Sequence, residues 1–226
     1  MRVLLGDDGC TLIAIACDGA GSASKGGEGA AIASRAFSHC AKAALGKTGA
    51  FPSDEDLWEW VDLTRDRIAA VAARRSLRPR DFATTVVMVI SNGSSTLALH
   101  IGDGAAVARR EYDQNWQALS WPAHGEYAST TYFLTDDGGP QLRISRCDDP
   151  IDRLAVFTDG IERLALDFQT NQPHGPFFSG ISNPVANSQI KGCDVGLSTM
   201  LGKYLMSDAI NARTDDDKTL IIASRS

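Results

Sequence analysis

Residues 11–22 read TLIAIACDGAGS, and the whole chain can be laid out from this stretch. Leu12–Cys17 has the length and apolar content of a buried strand, and it stops at Asp18-Gly19, with Ala20, Gly21 and Ser22 behind. A carboxylate at the exit of a buried strand is costly unless something pairs with it. The glycines that follow let backbone groups come close to a ligand. Alone, the stretch is no more than a strand closed by an Asp-Gly turn. The same device recurs, however, in LHIGDG at 99–104, in LAVFTDG at 154–160, and in Asp215-Asp216-Asp217 beside the apolar 219–223. Four acids at strand ends are the ingredients of a metal site made of oxygen ligands.

The rest of the composition narrows the class. At 226 residues the chain fits one domain, 1–226, with a full core. With 22 basic against 28 acidic residues the net charge is −6, and no basic stripe stands out along the sequence, which argues against a nucleic-acid binder. No apolar run is long enough for a bilayer and no basic-then-apolar leader opens the chain. Cysteines 10, 17, 40, 147 and 193 are odd in number and form no CxxC, so neither a disulfide framework nor a zinc site is expected. The reading is a cytoplasmic protein with reduced thiols, free of membrane and nucleic acid.

The periodicity gives an element order. Gly6–Gly9 is a turn between a very short first arm and the Thr11 strand. Gly26–Leu45 is alanine-rich at helical spacing and is predicted to end at Gly46. Ser53 is the N-cap of a second helix, with Asp54, Glu55 and Asp56 in its first turn and an apolar face at Leu57, Val61, Ile68, Val71 and Ala72. Trp58 and Trp60 read as packing residues. Strands are then predicted at Phe82–Ile90, Thr96–Ile101, Ala105–Tyr112, Asn115–Leu119, Thr131–Leu134, Gln141–Ser145 and Arg153–Thr158, with an Asn92-Gly93 hairpin turn. A short helical piece follows at Gly160, then a loop at Asn171–Gly180 with the composition of a lid. Helices at Pro184–Ile190 and Val195–Asn211 and a strand at Lys218–Ala223 close the chain. The order predicts an α+β protein with sheets between helical layers. His39, His100, His124 and His174 read as packed histidines, and Arg74-Arg75 and Arg109-Arg110 as solvated charges.

Five pieces now stand in order: Asp18-Gly19 with Gly21, Ala83-Thr84-Thr85, Ile101-Gly102-Asp103, Phe157-Thr158-Asp159-Gly160-Ile161 and Asp216-Asp217-Lys218-Thr219. The series resembles the PP2C (PPM) metal-dependent serine/threonine phosphatases, whose motifs run DG-x-G, G-TT, GDS, SDG(L/I) and DN-x-T. Singly these motifs are weak; together they span Thr11 to Ala223. The DGAGS form, and GEYA at 125–128, resemble the bacterial branch.

The resemblance implies a four-layer α-β-β-α sandwich, two antiparallel sheets flanked by helices. It implies two Mn²⁺ or Mg²⁺ ions bridged by Asp18, one also held by the Gly19 carbonyl and the other completed by Asp159 and Asp216. Asp103 would sit at a third, weaker site that shares Asp159, and Thr84 and Thr85 would be structural. The implied reaction is attack of a metal-bridging hydroxide on phosphoserine or phosphothreonine of a protein, with no phosphoenzyme. The implied partner is a phosphorylated substrate of a cognate Ser/Thr kinase.

Three departures qualify the match. The family's upstream acidic motif, with its phosphate-binding basic residue, has no counterpart before the first core strand, so an absent or truncated N-terminal motif is expected. Ala20 stands where some members carry a histidine general acid, leaving the general acid and the substrate-binding residue unassigned. Asp217 replaces the usual Asn, and Gly104 the Ser after Asp103. Two other readings remain: an impaired pseudophosphatase acting as a binding module, and a hydrolase of small phosphorylated molecules.

Overall fold

Strand residues alternate between two kinds of neighbour, and that alternation builds the layers. The computed structural model describes residues 1–123 and 131–225, the Thr48 side chain excepted. In chain order come β1 (Arg2–Leu5), β2 (Leu12–Ala16), α1 (Gly26–Thr48), α2 (Asp54–Arg74), β3 (Val86–Ser91) and β4 (Thr96–Ile101). Next are β5 (Ala105–Arg110), β6 (Trp116–Ser120), β7 (Arg143–Cys147), β8 (Ile151–Phe157) and α3 (Glu162–Ala165). The small hairpin β9 (Leu166–Asp167) and β10 (Gln172–Pro173), the helices α4 (Gly175–Ala186), α5 (Val195–Leu205) and α6 (Asp208–Asn211), and β11 (Leu220–Ser224) complete it.

One sheet has the order β1-β2-β3-β4-β7 and the other β11-β8-β5-β6, with antiparallel neighbours throughout. In β2, Ile13 and Ile15 turn outward onto Phe37, Leu57 and Ile68 of the α1–α2 layer. Ala14 and Ala16 turn inward, into a seam shared with Ala106, Ala108 and Val156 of the second sheet. That sheet's outer residues, among them Val107, Phe157 and Leu220, pack on Phe178 of α4 and Leu205 of α5. Both faces of each sheet are covered, which is why β3 reads VVMVIS with every residue buried instead of alternating. Each large side chain so buried contributes roughly 1.5–3 kcal/mol. The expected four-layer sandwich is what forms.

The alanine content of α1 serves close packing: Ala33, Ala36 and Ala41 are buried, and a Cβ on Gly29 would lie 2.0 Å from the Phe82 carbonyl oxygen. α1 does not stop at Gly46 as expected; its left-handed cap is Gly49, at φ 65°, bonded back to the Leu45 carbonyl. Ser53 caps α2 as expected, in a reciprocal capping box with Asp56. Trp60 is buried, but Trp58 is 44% exposed and packs little.

Other differences have local causes. Pro79–Phe82 is a 3₁₀ turn, so the strand begins at Val86 and leaves residues 83–85 free for the site. Asn92-Gly93 belongs to a four-residue loop, 92–95, because the Asn92 side chain accepts from the Ser94 and Ser95 N–H groups. Thr131–Leu134 is irregular, not a strand. Asn171–Gly180 is no lid: it holds β10 and the start of α4, and Phe178 is fully buried. α4 ends at Ala186, and the expected Val195–Asn211 helix breaks after Leu205 into α5 and α6.

His39 and His174 are exposed rather than packed, whereas His100 is fully buried as expected. Arg109 is not solvated but forms a two-pronged pair with Asp152; Arg110 pairs with Asp113 and Arg75 with Glu28. His124 and the stretch 125–128 lie outside the described residues. Among the described residues no helix is long and apolar enough to cross a membrane, and all five cysteines are free thiols.

Candidate active site

The strand ends meet at one edge of the sandwich. β2 delivers Asp18, the β4–β5 turn Asp103, β8 Asp159, and the run into β11 Asp216. Asp18, Asp103 and Asp159 are half-buried and Asp216 is exposed.

Backbone lacing fixes the Asp18-Gly19 peptide. The Thr84 hydroxyl and the Thr85 N–H both donate to the Asp18 carbonyl, at 2.7 and 2.8 Å, and the Ala20 N–H donates to the Ala83 carbonyl at 2.9 Å. Gly19 and Thr84 form an isolated antiparallel bridge. Thr84 and Thr85 are buried and face backbone, so they are structural, as expected. On the second sheet, the Thr158 N–H donates to the Thr219 carbonyl and the Thr219 N–H to the Thr158 hydroxyl, tying the Asp159 turn to the Asp216 run. Gly102, at φ 111°, gives the turn before Asp103 a conformation that other residues rarely adopt.

The acids act on one another. Burial, then the fields of Asp103, Asp216 and Asp18, push Asp159 up to about 8. Burial raises Asp18 as well, to about 6, against a hydrogen bond from Asp159 that lowers it; the fields of Asp216, Asp103 and Asp217 add to the rise. Both shifts have one origin: part-buried carboxyls that face one another and share a hydrogen bond are each harder to ionise. None of the four acids forms an ion pair among the described residues. Asp159 Oδ1 is buried with no hydrogen-bond partner. Uncompensated carboxylates and an orphaned buried oxygen fit a hard divalent cation. As they stand, no three His, Cys, Asp or Glu side chains among the described residues close into a cage.

A pH dependence follows. Unfolded, these carboxyls titrate near 3.8; folded, they hold their protons higher, so the folded state binds more protons across the interval. Stability of the metal-free protein therefore falls as pH rises from about 4 to about 8. Melting of EDTA-treated protein at pH 5, 6.5 and 8 is expected to show Tm decreasing along the series, with Mn²⁺ restoring it at pH 8. A Tm flat in both pH and Mn²⁺ would contradict the crowding of these acids.

Two neighbours take other roles. Burial pushes the Cys17 thiol up to about 12, which removes thiolate chemistry beside Asp18. His100 contacts Ser120 and Arg143 through Nδ1; burial and then Arg143 hold it down at about 3, a neutral core histidine. Sequence reasoning missed Thr131, whose hydroxyl donates to Asp103 Oδ2. It lies 28 residues from its acid, and no local pattern marks it.

The protein phosphatase 2C family model matches residues 4–206, and the chain belongs to this family of metal-dependent serine/threonine phosphatases. It is 39% identical over 222 residues to Serine/threonine-protein phosphatase 3 of Escherichia coli (strain K12), a match covering 97% of this chain and 86% of that protein. Among solved structures, a bacterial serine phosphatase aligns at TM-score 0.63 with 14% identity, covering 99% of this chain and 89% of its own. Stp1 from Staphylococcus aureus aligns at TM-score 0.61 with 14% identity, covering 100% and 87%. These two likenesses concern the fold.

Proposed function

We propose that this phosphatase removes phosphate from phosphoserine and phosphothreonine of a protein substrate, at the cleft ringed by Asp18, Asp103, Asp159 and Asp216. The observation that carries the reading is the convergence of these acids without any counter-charge. Two Mn²⁺ or Mg²⁺ ions, when bound, supply charge neutralisation and an ionised water as nucleophile for in-line displacement, without a phosphoenzyme. Asp18, Asp159, Asp216 and the Gly19 carbonyl would hold them, and Asp103 a third, weaker ion.

The chain's own groups set the geometry. Thr84 and Thr85 occupy the Asp18 carbonyl and thereby fix the next peptide, whose carbonyl is Gly19's. Thr131 restrains Asp103, and the Thr158–Thr219 tie holds Asp159 and Asp216 in register. Residues 1–226 would act as one phosphatase domain, since both sheets contribute acids to the cleft. Substrate class is supported by the name of the Escherichia coli relative. Five unpaired thiols suit the cytoplasm, where a Ser/Thr kinase would supply the phosphoprotein.

The test is phosphate release from a phosphothreonine peptide with and without Mn²⁺, run beside a panel of nucleotides. Turnover of the peptide that requires Mn²⁺ and stops with EDTA is the expected result. Nucleotides hydrolysed in preference would replace the protein substrate with a small molecule. Mn²⁺ bound without turnover would make the chain a binding module, and no Mn²⁺ binding would sink the metal site.

A further inference from the structure

Folding assembles a basic face that the linear sequence hides. Arg35, His39 and Lys42 are spaced to share one side of α1, and with Arg2 of β1 they line a groove of about 620 Å³ floored by Leu4 and Ala43. A second groove, about 340 Å³, lies between α1 and α2. It shares Arg35 with the first, adds Arg67 and Arg74, and is floored by Ile32 and Val71. All five cations are exposed. Lys42 pairs with Asp7 at 3.5 Å; the four arginines have no acidic partner among the described residues.

Exposed arginines are usually solvated, and Arg74 also suits a helix C-terminus. The helix-terminus account does not extend to Arg35 in mid-helix or Arg2 on a sheet edge. α2 is moreover polarised: Asp54, Glu55, Asp56, Glu59 and Asp62 stand in its first half, whereas after Asp66 its charges are Arg67 and Arg74, with Arg75 at its C-cap. The basic half lies beside the part of α1 nearest the acid cleft, because Gly26, the first residue of α1, packs directly on Gly19. In a chain of net charge −6 this face is the exception.

We infer that the paired grooves dock an acidic segment of the phosphoprotein substrate, with carboxylates on the arginines and aliphatic stems on the apolar floor. This rests on the phosphoprotein reading above. From Gly26 to Arg35 is nine residues of helix, about 14 Å. An extended peptide covers that distance in about four residues, so the acids sit four or more positions from the phosphoresidue.

The test compares phosphothreonine peptides carrying Asp/Glu at the fourth to eighth position, on either side, with a Ser/Gly-flanked peptide. Wild type and Arg35→Glu/Arg67→Glu are assayed with Mn²⁺ at low and high salt. Wild type should favour one acidic peptide by about tenfold in kcat/KM at low salt, chiefly through KM. High salt and the double variant should erase that preference while leaving p-nitrophenyl phosphate turnover unchanged. Anisotropy of the unphosphorylated acidic peptide, bound by wild type and not by the variant, reads docking even if no phosphopeptide is hydrolysed; that last failure would fall on the proposed reaction alone. Equal kcat/KM for all peptides in wild type, or a preference that survives charge reversal, overturns the docking. So would loss of p-nitrophenyl phosphate turnover in the variant, or tighter binding of a DNA duplex than of the acidic peptide.

Discussion

Asp159→Asn is expected to lower Mn²⁺-dependent phosphopeptide hydrolysis by a factor on the order of a thousand while leaving the fold intact. Two consequences of one substitution separate chemistry from stability. In the metal-free protein Asp159 is hydrogen-bonded to Asp18 and resists ionisation. An Asn amide keeps a donor at that place and removes a half-buried acid crowded by three others. The metal-free variant should therefore melt no lower than wild type, and at pH 8 somewhat higher, since the cost of ionising Asp159 is gone. What it loses is a carboxylate ligand, so Mn²⁺ should no longer raise its Tm appreciably. Scanning calorimetry with and without Mn²⁺, beside the phosphate-release assay, reads both. A variant that unfolds without metal would show Asp159 to be structural.

Gly19→Ala should damage stability as well as activity. A Cβ at Gly19 would stand 2.1 Å from the Gly26 carbonyl carbon, 2.4 Å from its oxygen and 2.5 Å from the Gly27 nitrogen. All three are backbone atoms at the start of α1, so no side-chain rotation gives relief. Either α1 shifts, or the Asp18-Gly19 peptide leaves its lacing to Ala83, Thr84 and Thr85. We expect a loss of roughly 3 kcal/mol or more in urea unfolding, together with weakened Mn²⁺ binding by calorimetry. Gly21→Ala is the matched control: its Cβ meets nothing within 4 Å and should cost little. Equal behaviour of the two variants would refute the close-contact argument.

Much of the site is legible in the sequence because each acid comes with its own local signal, an apolar strand before or after it. Asp18, Asp103 and Asp159 can be found this way without any knowledge of what they face. Thr131 cannot, since its pairing with Asp103 is a matter of tertiary path alone. Loops misread for a related reason. Asn171–Gly180 has the composition of a loop, but Phe178 packs on Phe157 and meets Phe177 edge-on, and the burial of Phe178 pulls the stretch into a helix. Thr131–Leu134 has strand composition, but neither sheet pairs with it. The basic face is a different case. Its spacing, at 35, 39 and 42 and at 67 and 74, is visible on a helical wheel, but only the antiparallel packing of α1 on α2 shows that the two rows adjoin.

The inner seam of small side chains bears on the cleft from a distance. Asp18 leaves one sheet and Asp159 the other, and the described strand pairing runs within each sheet, never from one to the other. The gap these two carboxyls span is therefore gauged by the thickness of the seam, where Ala14, Ala16 and Ala98 of one sheet share a buried cluster with Ala106, Ala108 and Val156 of the other. These alanines act as a shim. A larger residue among them would pry the two acids apart without touching either. Drift in such interior positions can thus retune cation affinity in a chain whose surface motifs read unchanged.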